Sequence, residues 1–307
     1  MRVFVAGATG ALGARLVPQL VARGHEVIGT SRSASKGEAL RSLGAEPVTL
    51  DLLDGAAVGE AVARAEPEAI VHEATALRGM TDVKHFDRSF AATNRLRTKG
   101  TDALLAAGRA AGVDRFVAQS YGGWPYAPEG GPVKSEEDPL DPAPVPAMRE
   151  TLDAIRYLER AVLDAGGVVL RYGALYGSTE DAQLGLVRKR RFPIVGDGGG
   201  IWSFVHLDDA AAATVLALEH GKAGTYNVVD DDPAPVREWL PVLAAAIRAK
   251  PPRRFPRWLA RLAAGEAGVA LMTEIRGAAN AKAKRELGWT LRHPSWRQGF
   301  VEAYGAA

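Results

Sequence analysis

The chain opens Met1-Arg-Val-Phe-Val-Ala-Gly7-Ala-Thr9-Gly10-Ala11-Leu12-Gly13-Ala-Arg-Leu16. Val3-Phe4-Val5 is a short apolar run that reads as a buried strand, and residues 11–22 carry a helical pattern. Three glycines at three-residue spacing stand between them. Gly7 permits a tight turn out of the strand. Gly10 lets a pyrophosphate approach the backbone, and Gly13 lets the helix pack close to the strand. The freed N–H groups and the positive end of the helix dipole then face an anion. The stretch therefore predicts a dinucleotide cradle made by Gly7, Thr9, Gly10, Ala11, Leu12 and Gly13. Its position between a strand and a helix is what lends the glycine spacing its weight.

Outward from this unit, apolar runs at residues 2–6, 26–30, 46–50, 69–72, 115–119 and 168–171 alternate with helical stretches, including 94–111 and 148–165. The runs are rich in Val, Ile and Phe, as strands buried on both faces should be. Regular alternation predicts an α/β fold, a Rossmann-type doubly wound parallel sheet. A smaller, discontinuous C-terminal substrate lobe completes it. Residues 1–172 and 207–227 are assigned to the dinucleotide-binding domain, and 173–206 and 228–307 to the lobe. Helices are expected at 208–219, 236–249, 258–262 and 280–287. Residues 121–147, crowded with Gly and Pro, are read as an irregular lid or pocket wall.

At 307 residues with 47% hydrophobic and 24% charged residues, the chain can bury a large core. A net charge of +2 gives no argument for nucleic acid or an acidic surface as partner. The lack of cysteine excludes disulfides and thiolate chemistry. No apolar run approaches the roughly 20 residues that span a bilayer, and the first strand begins at residue 2. A cytoplasmic protein acting on a small molecule is expected, with no membrane, no nucleic acid and no metal as partner.

The end of the second strand selects the nicotinamide cofactor. An acid there would bond the ribose 2′-hydroxyl of NAD. The chain instead reads Gly29-Thr30-Ser31-Arg32-Ser33. Arg32 can fork onto a 2′-phosphate and Ser31 can add a hydroxyl, so NADP is expected over NAD. Asp51-Leu52 follows the third strand, where a carboxylate can bond adenine or cap the next helix; Asp54 competes for the cap. His72-Glu73-Ala74-Thr75 ends the fourth strand, where the small residues Ala74 and Thr75 let the backbone pass beside the cofactor.

These residues resemble the extended short-chain dehydrogenase/reductase superfamily, in its branch of sugar-nucleotide epimerase/dehydratases and related reductases. The resemblance rests on the glycine loop, Asp51-Leu52, Val71-His-Glu-Ala-Thr75, Asn94 with Gly100-Thr101, Gly112-Val-x-Arg-Phe-Val117, Leu170-Arg171-Tyr172-Gly-x-x-Tyr176-Gly177 and Trp202-Ser-Phe-Val-His206-x-Asp208-Asp209. It implies that Asp51 contacts adenine, Asn94 sits near the active site, Tyr172 lies by the nicotinamide, and His206 and Asp208 support the substrate lobe. It also implies a homodimer paired through the helices at 94–111 and 148–165, and a phosphate subsite near Arg188–Arg191.

One departure is informative. The family's chemistry uses Tyr-x-x-x-Lys on the helix before the sixth strand. The Lys lowers the Tyr pKa, and the Tyr exchanges a proton with the substrate. No such pair occurs between Met148 and Ala165. Anchored on Glu159, an acid the family often carries four residues after the Lys, the Tyr position is Thr151 and the Lys position is Ile155. Ser120 or Tyr121 falls on the family's Ser/Thr site. Ser120, Tyr121 and Tyr126 are therefore the candidate catalytic residues. Two functions follow: an NADP(H)-dependent oxidoreductase or epimerase-like enzyme with a non-standard active site, or a catalytically reduced NADP(H)-binding sensor or regulator.

Overall fold

A computed structural model describes residues 1–77, 79, 81–178 and 182–305. Seven parallel strands form one sheet: β1 (Arg2–Ala6), β2 (Glu26–Ser31), β3 (Ala45–Thr49), β4 (Ala69–His72), β5 (Arg115–Tyr121), β6 (Val168–Tyr172) and β7 (Gly224–Val228). Their order is 3-2-1-4-5-6-7. The chain reverses direction across the sheet between β1 and β4, and a crevice opens there at the carboxyl ends of the strands. Every residue of β4 and β6 is buried, which explains the apolar runs Ala69-Ile-Val71 and Val168-Val-Leu170 that open them.

Helices α1 (Gly13–Ala22), α2 (Gly37–Ser42), α3 (Gly55–Ala65), α4 (Phe86–Arg95), α5 (Thr101–Ala110), α6 (Arg149–Asp164) and α8 (Leu207–His220) accompany the sheet, and α7 (Ala182–Arg188) lies outside it. One apolar cluster joins β1, α1 and α8, including Val5, Leu16 and Leu218. A second, on α3, α5 and α6, includes Val62, Leu104 and Leu158. The third cluster joins α9 (Val236–Ala246), α10 (Arg257–Thr273) and α12 (Trp296–Tyr304) to Phe86 and Phe90 of α4 and Leu152 and Ile155 of α6; α11 (Ala281–Leu287) instead packs its Ala283 and Leu287 into the first. The chain leaves the sheet after β6 and returns for α8 and β7.

Three local expectations change. The helix expected from residue 94 begins at Phe86, because Phe86 and Phe90, four apart, bury one face and stack at 4.4 Å. It then passes through a π-helical turn, Leu96–Gly100, before α5. The stretch 121–147 is tied down rather than irregular throughout. Tyr121 ends β5, Val133–Lys134 pairs in parallel with Gly277–Ala278, and Pro146–Met148 forms a 3₁₀ turn. The α3 helix starts at Gly55, later than residue 52. Asp54 caps it by accepting from Ala57 N, so Asp51 is left free of that role.

Candidate active site

The glycine loop has the geometry a dinucleotide requires. Gly7 has φ +93°, and a Cβ there would lie 2.7 Å from the Ala74 backbone at the end of β4. A Cβ on Gly13 would lie 2.5 Å from Gly7 O. Both positions therefore need glycine, one for conformation and both for close approach. The α1 N-terminus has no side-chain cap and no acid in its first turn. Ala14 N and Arg15 N bond back to Gly10 O and Leu12 O, but the N–H groups of Ala11, Leu12 and Gly13 have no backbone partner among the described residues, so the residues present fit a pyrophosphate.

Around this cradle the other expected cofactor residues take defined places. Thr9 is half-buried, Ala11 is exposed and Leu12 is buried. Ser31 Oγ accepts from Ser33 N, and Arg32 is exposed in the loop after β2. Asp51 is exposed and accepts from Leu53 N, while Leu52 is buried. Ala74 N donates to His72 Nδ1. Asn94 is held between Thr151 Oγ1, to which its amide donates at 3.1 Å, and Arg97, which donates to its Oδ1 at 3.3 Å.

A cavity of about 180 Å³ lies at the carboxyl ends of β4, β5 and β6. Thr75, Gln119, Ser120, Tyr121, Tyr172 and Arg97 line it on the sheet side, and Tyr176, Phe204, Trp239 and Phe300 on the lobe side. Ser120, Tyr121, Thr75 and Tyr172 thus come together at one site. Tyr126 is not among the lining residues. It is 2% exposed, and its hydroxyl donates to Asn227 Oδ1 at 2.7 Å and accepts from Arg171 Nη1 at 2.9 Å. That tyrosine is spent on the interior and has no proton to offer the cavity.

The same interior network commits Ser120. Its hydroxyl donates to Glu159 Oε1 at 2.7 Å, and Arg171 grips Glu159 through Nε at 2.8 Å and Nη2 at 2.6 Å. Glu159, the sequence anchor, is thus half of a buried ion pair that ties α6 to β5 and β6. Thr151, at the family's Tyr position, is fully buried. Its hydroxyl donates to Asp87 Oδ1 at 2.6 Å, and Asp87 also accepts from Glu150 N and Thr151 N, capping α6 from α4. Ile155, at the Lys position, is buried in the third apolar cluster. Of the three candidates, Tyr121 alone presents a hydroxyl with no protein partner among the described residues. Desolvation pushes its phenol up to about 12, with no cation acting to lower it.

Two buried groups at the strand end exceed what the sequence suggested. Burial pushes the Glu73 carboxyl up to about 8, against a partial lowering by its hydrogen bond with Tyr172. Tyr172 OH lies 2.9 Å from Glu73 Oε1 and 2.6 Å from Thr214 Oγ1, and Thr214 donates to Ala210 O. The ring of Tyr172 therefore faces the cavity while its hydroxyl points inward. Burial lowers His72 to about 4 despite its contact with Leu96 O. The fold also brings His293 onto His206, rings 4.0 Å apart, beside Asp208. His206 Nδ1 already accepts from Asp208 N and caps α8. None of the four charges at Arg188–Arg191 lines the cavity; Arg190 Nε donates to Pro251 O.

An open parallel sheet with a glycine cradle at its switch point and a cavity beside it defines a nicotinamide dinucleotide-dependent α/β protein. A profile of the NAD dependent epimerase/dehydratase family matches residues 3–229, and the chain belongs to that family. It is 45% identical over 308 residues to a 3-diazoavenalumate denitrifying reductase of a Streptomyces species, covering 98% of this chain and 99% of the relative. It is 31% identical over 268 residues to a UDP-glucose 4-epimerase of Mycolicibacterium smegmatis, covering 81% and 83%. Among solved structures, the Thermus thermophilus UDP-glucose 4-epimerase in complex with NAD superposes with a TM-score of 0.74 at 25% identity, over the full length of both chains. The relatives support a hydride-transferring oxidoreductase or epimerase. Among the described residues no helix is long and apolar enough to cross a membrane.

Proposed function

We propose that this chain is an NADP(H)-dependent reductase that replaces an aryl diazonium group by hydrogen and releases dinitrogen. The observation that carries this reading is that, among the described residues, the cavity has no activated proton donor. Thr151 and Ile155 replace the Tyr and Lys, Tyr126 is bonded inward, the Ser120 hydrogen is held by Glu159, and Tyr121 is a phenol pushed up to about 12. Carbonyl reduction generates an alkoxide that must be protonated, and general acids contribute typically 10²–10⁴-fold to such steps. When bound, the nicotinamide supplies the hydride that forms the aryl C–H bond, while the C–N bond breaks and its electron pair leaves on dinitrogen, with no proton required. The 45%-identical reductase, whose name carries a diazo substrate and loss of nitrogen, supports the same chemistry.

The chain's own residues then bind, orient and exclude water. The Gly7–Gly13 loop, Asp51, Ala74, Thr75 and Asn94 hold the dinucleotide. Arg32 with Ser31 takes the 2′-phosphate. The aromatic wall of Tyr121, Tyr172, Tyr176, Phe204 and Trp239 suits a flat aromatic substrate better than a sugar.

The test is a substrate panel monitored by nicotinamide absorbance and dinitrogen release, each rate corrected for the uncatalysed reaction. Diazo-bearing aromatic carboxylates are expected to turn over, and Tyr121→Phe is expected to retain activity within a few fold. Turnover of ketones or nucleotide sugars with none of the diazo compounds, or loss of diazo turnover in Tyr121→Phe, overturns the proposal. Tight NADPH binding with no turnover of any compound would mark the chain as a sensor.

A further inference from the structure

The chemistry above leaves one group on the cavity wall unexplained. Arg97 is 7% exposed and lines the cavity, yet no carboxylate lies within ion-pair distance of it among the described residues. Its one hydrogen-bond partner there is the neutral Asn94 Oδ1, at a long 3.3 Å. Its guanidinium stands over the Phe90 ring at 5.7 Å. Glu159, whose charge is felt at Arg97, makes its ion pair with Arg171 instead and also accepts from Ser120. Burial pulls Arg97 down to about 10, so it still carries its charge at neutral pH.

A guanidinium has five donors in a planar fork, and here one is used. Burying such a cation without an anion is costly, so an apoprotein keeps one only where something else requires it. Its placement is built. Arg97 lies within the π turn Leu96–Gly100, a kind of helix irregularity frequent at functional sites. Asn94, one turn earlier, is pinned by Thr151, which Asp87 pins in turn. This chain of hydrogen bonds fixes the acceptor that orients the guanidinium. Facing it, Tyr121, Tyr172, Tyr176, Phe204, Trp239 and Phe300 give the wall a large aromatic share. A cavity with one buried, unpaired, oriented cation and a ring-lined interior matches a planar aromatic molecule bearing one anionic group.

We propose that Arg97 is the anion anchor of the cavity and takes the carboxylate of an aromatic substrate. The inference rests on the aromatic-substrate reading above and deepens it. It makes Arg97 a specificity determinant: the acid binds and its uncharged ester does not. The fork geometry suits a carboxylate held bidentately, which also sets the direction in which the ring enters the cavity.

The test is calorimetric binding of 4-hydroxycinnamate and of its methyl ester to the NADP⁺-loaded protein, in wild type, Arg97→Met and Arg97→Lys. Wild type is expected to bind the acid at least about tenfold tighter than the ester. Arg97→Met is expected to weaken acid binding roughly 10- to 100-fold, the range of a charge-assisted hydrogen bond, and to leave ester and NADP⁺ affinity unchanged. Arg97→Lys should keep part of the acid preference. The thermal midpoint of apo Arg97→Met should match or exceed that of wild type, since the variant removes an unpaired buried charge. Equal affinity of wild type for acid and ester, binding of neither, equal weakening of both in Arg97→Met, or a loss of NADP⁺ affinity there each overturns the assignment. The measurement needs no turnover, so failure of the diazo chemistry and failure of this anchor are read separately.

Discussion

Replacing Glu73 by glutamine tests the electrostatics at the end of β4. Glu73 is 5% exposed, its Oε2 has no hydrogen-bond partner, and burial pushes its carboxyl from 4.5 to about 8. In the native state the group is therefore neutral where the unfolded chain would be ionised. Raising the pH from 4.5 to 8 favours the unfolded state, because that state releases its proton first. Stability is lost over this window at about 1.4 kcal/mol for each pH unit, or ~5 kcal/mol across it. The Glu73→Gln side chain keeps an acceptor for Tyr172 OH and has nothing to titrate. Chemical denaturation of wild type and Glu73→Gln from pH 4.5 to 9 gives the stability difference directly. It is expected to move in favour of the variant by ~3 kcal/mol between pH 5 and 7 and to level off above 8. Any offset from repacking is constant with pH and cancels in the slope. His72 and Asp230 also titrate abnormally, but they are common to both proteins and cancel as well. A difference that stays flat from pH 5 to 8 would refute a protonated native Glu73.

Two further outcomes follow from the cofactor loop and the interior ion pair. Arg32→Ala is expected to weaken NADPH binding roughly 10- to 100-fold while NADH affinity changes little; equal losses for both cofactors in fluorescence titrations would sink the 2′-phosphate role. Glu159→Gln leaves Arg171 buried without its carboxylate, 7% exposed as its side chain is, and should cost roughly 3–5 kcal/mol in denaturation experiments; an unchanged midpoint would show that the pair contributes nothing.

The parts of the site that were legible in the sequence are those written in consecutive residues. The glycine loop announces itself because turn, close approach and helix packing all act within seven residues. Strand alternation predicts the parallel sheet for the same reason: burial on both faces leaves a local apolar signature. Ser120 and Tyr121 were placed at the cavity by following the end of a strand. The fate of their hydroxyls was not visible. Ser120 meets Glu159 39 residues later, and Tyr126 meets Asn227 101 residues later. Arg97 escaped because a cation in a basic, helical stretch reads as solvated. Only its spacing of three from Asn94, on the same helical face, could have drawn attention to it.

The sequence by itself determined the fold class, the tight glycine turn at Gly7–Gly13 and the lack of a Tyr-x-x-x-Lys pair. Each is a matter of backbone freedom, local periodicity or residue identity. Tertiary structure decided which polar groups are consumed and which remain. It closed Ser120, Tyr126, Glu159 and Arg171 into one buried network, neutralised Glu73 and left Arg97 charged and, among the described residues, unpaired on the cavity wall. The physical reason is that hydrogen-bond satisfaction and desolvation depend on neighbours brought from distant segments, and those neighbours exist only once the sheet and the lobe have packed together.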